Sequence, residues 1–582
     1  MRRGLFASAI LIPSLTLATV AAAQEDTADY RFTDVVDVQL VNVEVWVTDK
    51  KDRPVNGLTL EDFEILEDGV PVDITYFAEV REDTPVVSSL ERILDESTDE
   101  AATILTPTVE PGHLILYFDE LHLMPASRKQ AIRDIRSFLA DESVPPERVL
   151  ILTQHRDLKT EVTFGSSWRE LDESLTRIEK SLPRGGSVAS EKRLAIKSLQ
   201  DLWRWAIETA GRTPAGDPVE AACQVFLPRA VPDVEASAAV SRERVSVTLD
   251  HLSSAASFLT GIPGLKTLIF VSDALERAPG SDLIKMINDF CPVQTTTPMF
   301  LLSDELGKEF RTLTRHANAN RVTIYALQTE GLSSGFTTGA EQAAGALPRA
   351  SRAFDTAKRL SEREGMTNLA VETGGRAIFN RNAFGDELEA ISNEMSAYYS
   401  LAYEPTHGGD RREHEIKVRL KPKGLKARHR RGYRDKDQDV RMTERLQAAI
   451  YLGLVDNPLA VRLGAGSVTP FGDMVKLPLH ILVPAEKVVF LPTDDGVSAQ
   501  LSVQVSTRNT ADQKGLFEHR AYRLNWKTGS DQEMIALSID LEVPPGVHLV
   551  AVGVRDDATR DMSFVSTTLE IHGAPADRAT DS

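Results

Sequence analysis

The stretch Gly112–Glu142, GHLILYFDELHLMPASRKQAIRDIRSFLADE, constrains the fold more than any other part of the chain. His113 to Phe118 is a short apolar run of the kind that forms a strand buried on both faces, and it stops at Asp119 and Glu120. From Ser127 onward Ile132, Ile135, Phe138 and Leu139 recur at helical spacing, with Arg, Lys, Asp and Gln on the other face. A buried strand, an acidic loop and an amphipathic helix open a doubly wound α/β domain. Ligands of such sheets sit beyond the carboxyl ends of the strands, so Asp119 marks the end where function is expected.

The alternation continues to residue 396. Strands are expected at His113–Phe118, Val149–Thr153, Glu161–Phe164, Thr267–Ser272, Val322–Leu327 and Arg376–Phe379. Helices are expected between them at Ser127–Asp141, Ser167–Ser181, Thr248–Leu259, Asp304–Ala317, Ala353–Glu372 with a break near Gly365, and Asp386–Ser396. The order predicts a mainly parallel sheet over residues 112–396. Two insertions interrupt it: a partly helical one at 187–246, and a Gly/Ser/Thr/Ala-rich loop at 331–349 of a length usually tied to function or disorder.

On either side the period changes to two. Val41, Val43, Val45 and Val47 alternate with Asn42, Glu44, Trp46 and Thr48, a half-buried strand, and Asp68-Gly69 signals a hairpin within a small β unit at 34–80. An acidic, aperiodic stretch at 81–111 reads as a linker. Residues 397–435 read as a β-hairpin turning at Pro422–Gly424, with eleven Lys or Arg between Arg411 and Arg434. Those basic residues fall at alternate positions (Lys417, Arg419, Lys421) and read as a solvated face. Neither β piece can close a core alone, so the two are expected to pair into one sandwich. Residues 442–575 open with a short helix at Met442–Leu454, then carry several alternating runs, such as VSAQLSVQVS, and predict a β-sandwich of immunoglobulin-like type.

A chain of 582 residues needs three or four such cores. At its start, Arg2 and Arg3, an apolar run from Leu5 to Val20 and the small residues Ala21–Ala23 form a secretory signal over 1–23. Its removal takes two positive charges off a formal charge of −20, leaving −22, a surface that repels nucleic acid. An exported, periplasmic or extracellular protein without a membrane span is expected. Cys223 and Cys291 are the two cysteines; in an oxidising compartment they would pair, the alternative being two buried thiols.

The order of these pieces resembles a known family. The β segment Val43–Pro71 (VEVWVTDKKDRPVNGLTLEDFEILEDGVP), the α/β region, TGGRAIFN at 373–380, AYYSLAYEP at 397–405 and RRGYR at 430–434 are similar to bacterial, acidobacterial-type von Willebrand factor A-related domain proteins. The resemblance covers Val36 to Tyr433. It implies a sheet whose top can hold a divalent ion through an Asp-x-Ser-x-Ser loop, a Thr and a later Asp. Mg2+ or Ca2+ would then leave a coordination position for a partner's carboxylate. Asp119 matches the first Asp, Asp273 the late one, and Ser187 in PRGGS stands where the Thr hydroxyl would be. The two Ser positions are Leu121 and Leu123, so the site is degenerate; Glu120, His122 and Ser272 are the nearby groups that could compensate.

No HExxH helix, phosphate-binding P-loop or Gly-rich dinucleotide fingerprint is present. His122 and Asp119 form the available general acid/base pair, without a nucleophile at a fixed spacing. The expectation is therefore a non-catalytic protein–protein interaction or adhesion protein, with no cofactor, using the face around Asp119. The alternatives are Mg2+- or Ca2+-dependent binding of an acidic ligand at the same face, and a hydrolase.

Overall fold

The computed structural model describes residues 40–81, 84–87, 112–140, 144–211, 217–262, 264–292, 306–329 and 348–572, apart from 406, 408, 409, 411, 454, 494, 495, 512, 513 and 528–531. The signal at 1–23, most of the linker at 81–111 and nearly all of the loop at 331–349 lie outside the described residues. The chain is a mixed α/β, multidomain protein that divides into two compact units, residues 34–444 and a second unit containing everything from Arg445.

In the first unit β structure both precedes and follows an α/β region. The strands are β1 (Val41–Thr48), β2 (Phe63–Glu67), β3 (Val70–Val72), β4 (Ile74–Arg81) and β5 (Thr84–Val87). The chain then forms β6 (His113–Asp119), β7 (Val149–Gln154), β8 (Leu158–Val162), β9 (Lys266–Ser272), β10 (Val322–Gln328) and β11 (Ala377–Ile378), and returns as β12 (Tyr398–Tyr403), β13 (Glu413–Leu420), β14 (Lys426–Arg428) and β15 (Gly432–Arg434). The early and late strands interleave: β12 lies antiparallel between β1 and β4, with Val43 opposite Leu401, and β13 lies antiparallel to β2, with Val418 opposite Ile65. Two sheets result, ordered β14-β1-β12-β4-β5 and β15-β13-β2-β3. They share one core of Val43, Val45, Ile65, Phe77, Leu401 and Ile416, all essentially buried.

Two features differ from the sequence reading. Thr84–Val87, expected in a linker, forms β5 against β4. The Pro422–Gly424 turn does not close a hairpin, because β13 pairs with β2 and β15 while β14 pairs with β1 in the other sheet, Arg428 opposite Trp46. The turn carries the chain from one sheet to the other.

Between these β segments lies a six-stranded sheet ordered β11-β10-β9-β6-β7-β8, parallel except for the edge strand β8. Leu116 and Phe118 of β6, with Ile269 and Val271 of β9, pack against Ile132 and Ile135 of helix Pro125–Ala140, Leu171 and Leu175 of Trp168–Lys180, and Leu388 and Ile391 of Gly385–Ser396. On the other face Tyr117 donates to Gln154 Oε1 at 2.6 Å, and Gln154 donates to Thr248 of the 41-residue helix Pro218–Phe258 at 3.0 Å. Burial on both faces is why these strands are continuous apolar runs.

The insertion at 187–246 consists of helix Gly185–Ala210 and most of Pro218–Phe258, which runs on through the helix expected at Thr248–Leu259. Trp203 stacks on Phe290 and Phe226 meets both rings edge-on, in one core with the joined Cys223 and Cys291, whose Cα atoms are 5.7 Å apart. Gly365 does not break its helix, which is continuous over Pro348–Glu372. A Cβ there would lie 2.3 Å from the Leu275 carbonyl oxygen, so the glycine admits a neighbouring backbone.

The second unit has two further sheets facing across one core. Met474–Pro484 pairs with Met534–Val543, and Gly496–Asn509 pairs with Phe517–Trp526 and Gly546–Asp556. Their alternate residues, such as Leu477, Leu479 and Ile481 against Leu501, Val503 and Val552, fill the space between. Among the described residues no helix is long and apolar enough to cross a membrane.

Candidate functional site

The carboxyl ends of β6, β9 and β10 bring Asp119, Ser272, Asp273, Gln328 and Thr329 to one edge of the parallel sheet. Asp119 is fully buried. Its Oδ1 accepts from the Leu121 amide at 3.2 Å, and its Oδ2 lies 2.7 Å from His122 Nδ1 and 2.8 Å from Ser272 Oγ. Its backbone carbonyl accepts from the amides of His122 and Leu123. One residue thus folds the loop after β6 back over the strand end.

Asp273 organises the next turn. Its Oδ2 accepts from the Met124 amide at 2.7 Å and from Ser127 Oγ at 2.6 Å, while Oδ1 accepts from Thr329 Oγ1 at 2.6 Å. The first turn of helix Pro125–Ala140 is therefore capped by a carboxylate 149 residues away in sequence.

The remaining positions of the expected metal set are otherwise engaged. Leu121 and Leu123 are buried, and Leu123 belongs to the core with Phe118 and Ile135. Ser187 is exposed within the first turn of helix Gly185–Ala210, where its hydroxyl donates to Arg184 O at 2.8 Å. The preceding Gly185 explains the PRGGS string: a Cβ there would lie 2.3 Å from Leu123 O. The string is a close approach of helix to loop rather than a ligand loop. A near-octahedral ion needs hard oxygens with free lone pairs. The Asp119 and Asp273 oxygens are engaged by protein donors and Ser187 faces solvent, so these residues as placed do not fit such an ion.

The loop also carries perturbed titrations. Burial alone would depress the His122 imidazole, but the Asp119 carboxylate against it holds it above its ordinary value. Glu120 turns to the opposite side and pairs with buried Arg128, which also donates to Ser181 Oγ at 2.9 Å. Burial pushes the Glu120 carboxyl up to about 7 against the pull of that guanidinium. Nearby, Lys192 pairs with Glu276 and with buried Asp282, the latter at 2.8 Å. As a general acid/base pair, His122 and Asp119 are in contact, yet the Ser272 hydroxyl lies against Asp119, so the imidazole activates no hydroxyl among these contacts.

Two motifs carried by the resemblance turn out to be packing devices. In TGGR, Thr373 Oγ1 accepts from the Ile324 amide at 3.0 Å, Gly374 adopts φ 83°, and a Cβ on Gly375 would lie 1.9 Å from Ile324 O. In the basic stripe, Lys417 and Arg419 face solvent, but Arg428 and Arg430 turn inward, which corrects the reading of a uniformly solvated face. Arg428 pairs with Glu394 and lies 5.2 Å over the Trp46 ring. Arg430 donates to Asn318 O at 2.8 Å and Asn42 O at 2.5 Å. Glu44 pairs with Arg321 and Trp46 donates to Glu394 O at 2.7 Å, so the polar face of β1 is buried too. β1 is not half-buried as its alternation suggests, because that face is covered by the α/β region. Gly331-Leu332-Ser333-Ser334-Gly335 spells GxSxG, the string of a serine nucleophile elbow, contrary to the expectation that the chain has none, and it lies outside the described residues.

No protein-family model matches the chain, and no curated protein matches it. Among solved structures the human COPII-coat protein Sec24c is similar at 8% identity and a TM-score of 0.17, over 80% of this chain and 44% of that one. The chain thus spans less than half the length of that protein, and a similarity of this size carries no argument about fold or activity.

Proposed function

We propose that this is an exported, non-catalytic protein–protein interaction or adhesion protein. Its parallel-sheet region is read as a doubly wound, von Willebrand A-like domain flanked by β-sandwich domains, the last of immunoglobulin-like type, and the face around Asp119 and Asp273 receives a protein partner without a bridging ion. The observation that carries the reading is the use of both carboxylates as braces for the loops they support. The joined cysteines are compatible with an oxidising, periplasmic or extracellular setting.

The test places a photo-cross-linking side chain at Ala126, which is exposed beside this face, and a second at exposed Lys159 on the edge strand β8. In the exported fraction of the producing cell, the reading expects a discrete adduct from Ala126 that persists in chelator, with none from Lys159. An adduct lost in chelator would transfer the reading to the metal-dependent alternative. Turnover of an ester or peptide substrate abolished by His122→Ala would overturn it in favour of a hydrolase.

A further inference from the structure

At the end of the four-stranded sheet of the first unit, remote in sequence from the face just described, Glu67 of β2, His414 of β13 and His407 of the β12–β13 connection come together. One side-chain atom of each lies within 4.8 Å of the others, and a second such group joins His407 to Asp410 and Asp435. His407 is the feature that needs explaining. Both its ring nitrogens are buried and neither has a hydrogen-bond partner. A buried polar atom left unpaired costs about 1–3 kcal/mol. The nitrogens nevertheless face carboxylates: Nε2 is 3.4 Å from Glu67 Oε2 and Nδ1 is 3.8 Å from Asp435 Oδ2.

A charge-assisted hydrogen bond would close such a gap to about 2.7–2.9 Å. Two ligands on one tetrahedral ion, at about 2.0–2.2 Å each from the metal, stand about 3.3–3.5 Å apart. The His407–Glu67 separation falls there, and so does the 3.3 Å between His414 Nε2 and Asp410 Oδ1. The surroundings prepare each ligand. Glu67 is almost wholly buried, and its Oε1 accepts from Tyr403 OH at 2.8 Å and Tyr433 OH at 2.7 Å, which leaves Oε2 turned to His407. His414 Nδ1 lies 2.8 Å from Asp68 Oδ2 and its Nε2 3.3 Å from Asp410 Oδ1; with the proton kept on Nδ1 by Asp68, the Nε2 lone pair would turn to an ion that displaces the Asp410 contact.

We infer that Glu67, His407 and His414, whose ligand atoms lie within 4.8 Å of one another, form a binding site for a divalent first-row transition ion of the Zn2+ class, with Asp410, which lies against His414 and is grouped with His407 rather than with Glu67, closing on it as the fourth ligand. Imidazole with carboxylate selects such ions over Mg2+ and Ca2+. The two imidazoles are stacked, 3.8 Å between centroids and 15° from parallel, so an ion in the plane of His407 takes His414 after that ring tilts towards it. The ligands come from both ends of the unit, Glu67 from the early strands and residues between 407 and 414 from the returning segment, so the ion would lock the early strands of the sandwich to the returning ones.

The experiment uses the mature chain from Gln24, stripped with chelator and titrated with ZnCl2 against a chromophoric competitor, then with Co2+ to read the ligand-field absorption of a tetrahedral site. One Zn2+ per chain is expected, with a rise in unfolding temperature and a tetrahedral Co2+ spectrum. His407→Ala and His414→Ala should each weaken binding at least tenfold, and Asp68→Asn, which touches no ion, about 10- to 100-fold. His407→Gln keeps the size of the site and guards against misfolding; its circular dichroism should match the parent while its affinity falls. Asp119→Asn should bind Zn2+ as the parent does, which separates this site from the interaction face. No stoichiometric Zn2+, or affinity unchanged in both His407 variants, overturns the inference. So does an unfolding temperature that responds at His407 to pH alone, which would assign the gap to a proton.

Discussion

Replacing Asp119 by Asn tests how the interaction face is built, because the change is nearly isosteric and alters only charge and donor pattern. Asp119 is fully buried and accepts from Leu121 N, His122 Nδ1 and Ser272 Oγ. Hydrogen bonds to a charged group are each worth about 1.5–3 kcal/mol, and breaking a buried pair costs about 3–5 kcal/mol. Asn retains one acceptor oxygen, so a loss of about 3–4 kcal/mol is expected where His122 is charged. The pH dependence follows from His122, which burial depresses and Asp119 more than restores, to a net position above 6.5. A histidine raised in the folded state contributes stability that is complete below its unfolded value and disappears as pH rises through the folded value. The loss should therefore be larger at pH 6 than at pH 9, where about 2 kcal/mol should remain from the neutral hydrogen bonds. Urea unfolding followed by tryptophan emission reads it, since Trp46, Trp168, Trp203 and Trp205 all lie in the first unit. Equal losses at the two pH values, or a loss below about 1 kcal/mol, would refute the reasoning.

Further outcomes can be checked with the same assay. Gly185→Ala should destabilise, because its Cβ would meet Leu123 O at 2.3 Å, whereas Gly186→Ala next to it, with nothing within 4 Å, should stabilise by about 0.4–1 kcal/mol. Cys223→Ala opens a cross-link spanning 68 residues and should cost about 4 kcal/mol, while reduction of the Cys223→Ala protein should change nothing more. Burial alone would raise the Glu44 carboxyl, but Arg321 and Arg430 hold it below its ordinary value. Its stabilisation is thus present above pH 4.5 and lost as pH falls through the folded value, and Glu44→Gln should flatten that acid limb. The same variant should cost about 3 kcal/mol near neutrality by breaking the Glu44–Arg321 pair and removing the carboxylate that also attracts buried Arg430.

The parallel sheet was legible because its strands satisfy burial locally: every residue of β9 and β10 is buried, and each carries an apolar centre, Leu268–Val271 and Ile324–Leu327, between helical patterns. β1 was harder. Its alternation describes one buried face correctly, but Asn42, Glu44 and Trp46 are covered by groups 277 to 388 residues away, and no local period records that. Arg428 and Arg430 were hidden in the same way, since a basic stripe looks alike whether it points to water or to buried carbonyls.

At the site, Asp119 and Asp273 were identifiable as polar residues ending apolar strands. Their employment by Leu121 N, Met124 N and Thr329 depends on loop geometry that spacing does not contain. Ser187 opens a helix rather than a loop, because a GGS string reads equally as a ligand loop or as a helix start, and its hydroxyl donates to Arg184 O while Gly185 packs on Leu123. The cluster around His407 left no sequence trace. Glu67 and His407 lie on either side of the α/β region, and only the pairing of β13 with β2 brings them together.

The most direct measurement on the central claim is thermal unfolding of the chelator-treated mature chain with and without millimolar Mg2+ or Ca2+, repeated on Asp119→Asn. If both carboxylates serve as braces for the protein's own loops, neither ion shifts the transition of either protein. A rise with Mg2+ or Ca2+ that disappears in Asp119→Asn would contradict the account and put an ion at the interaction face.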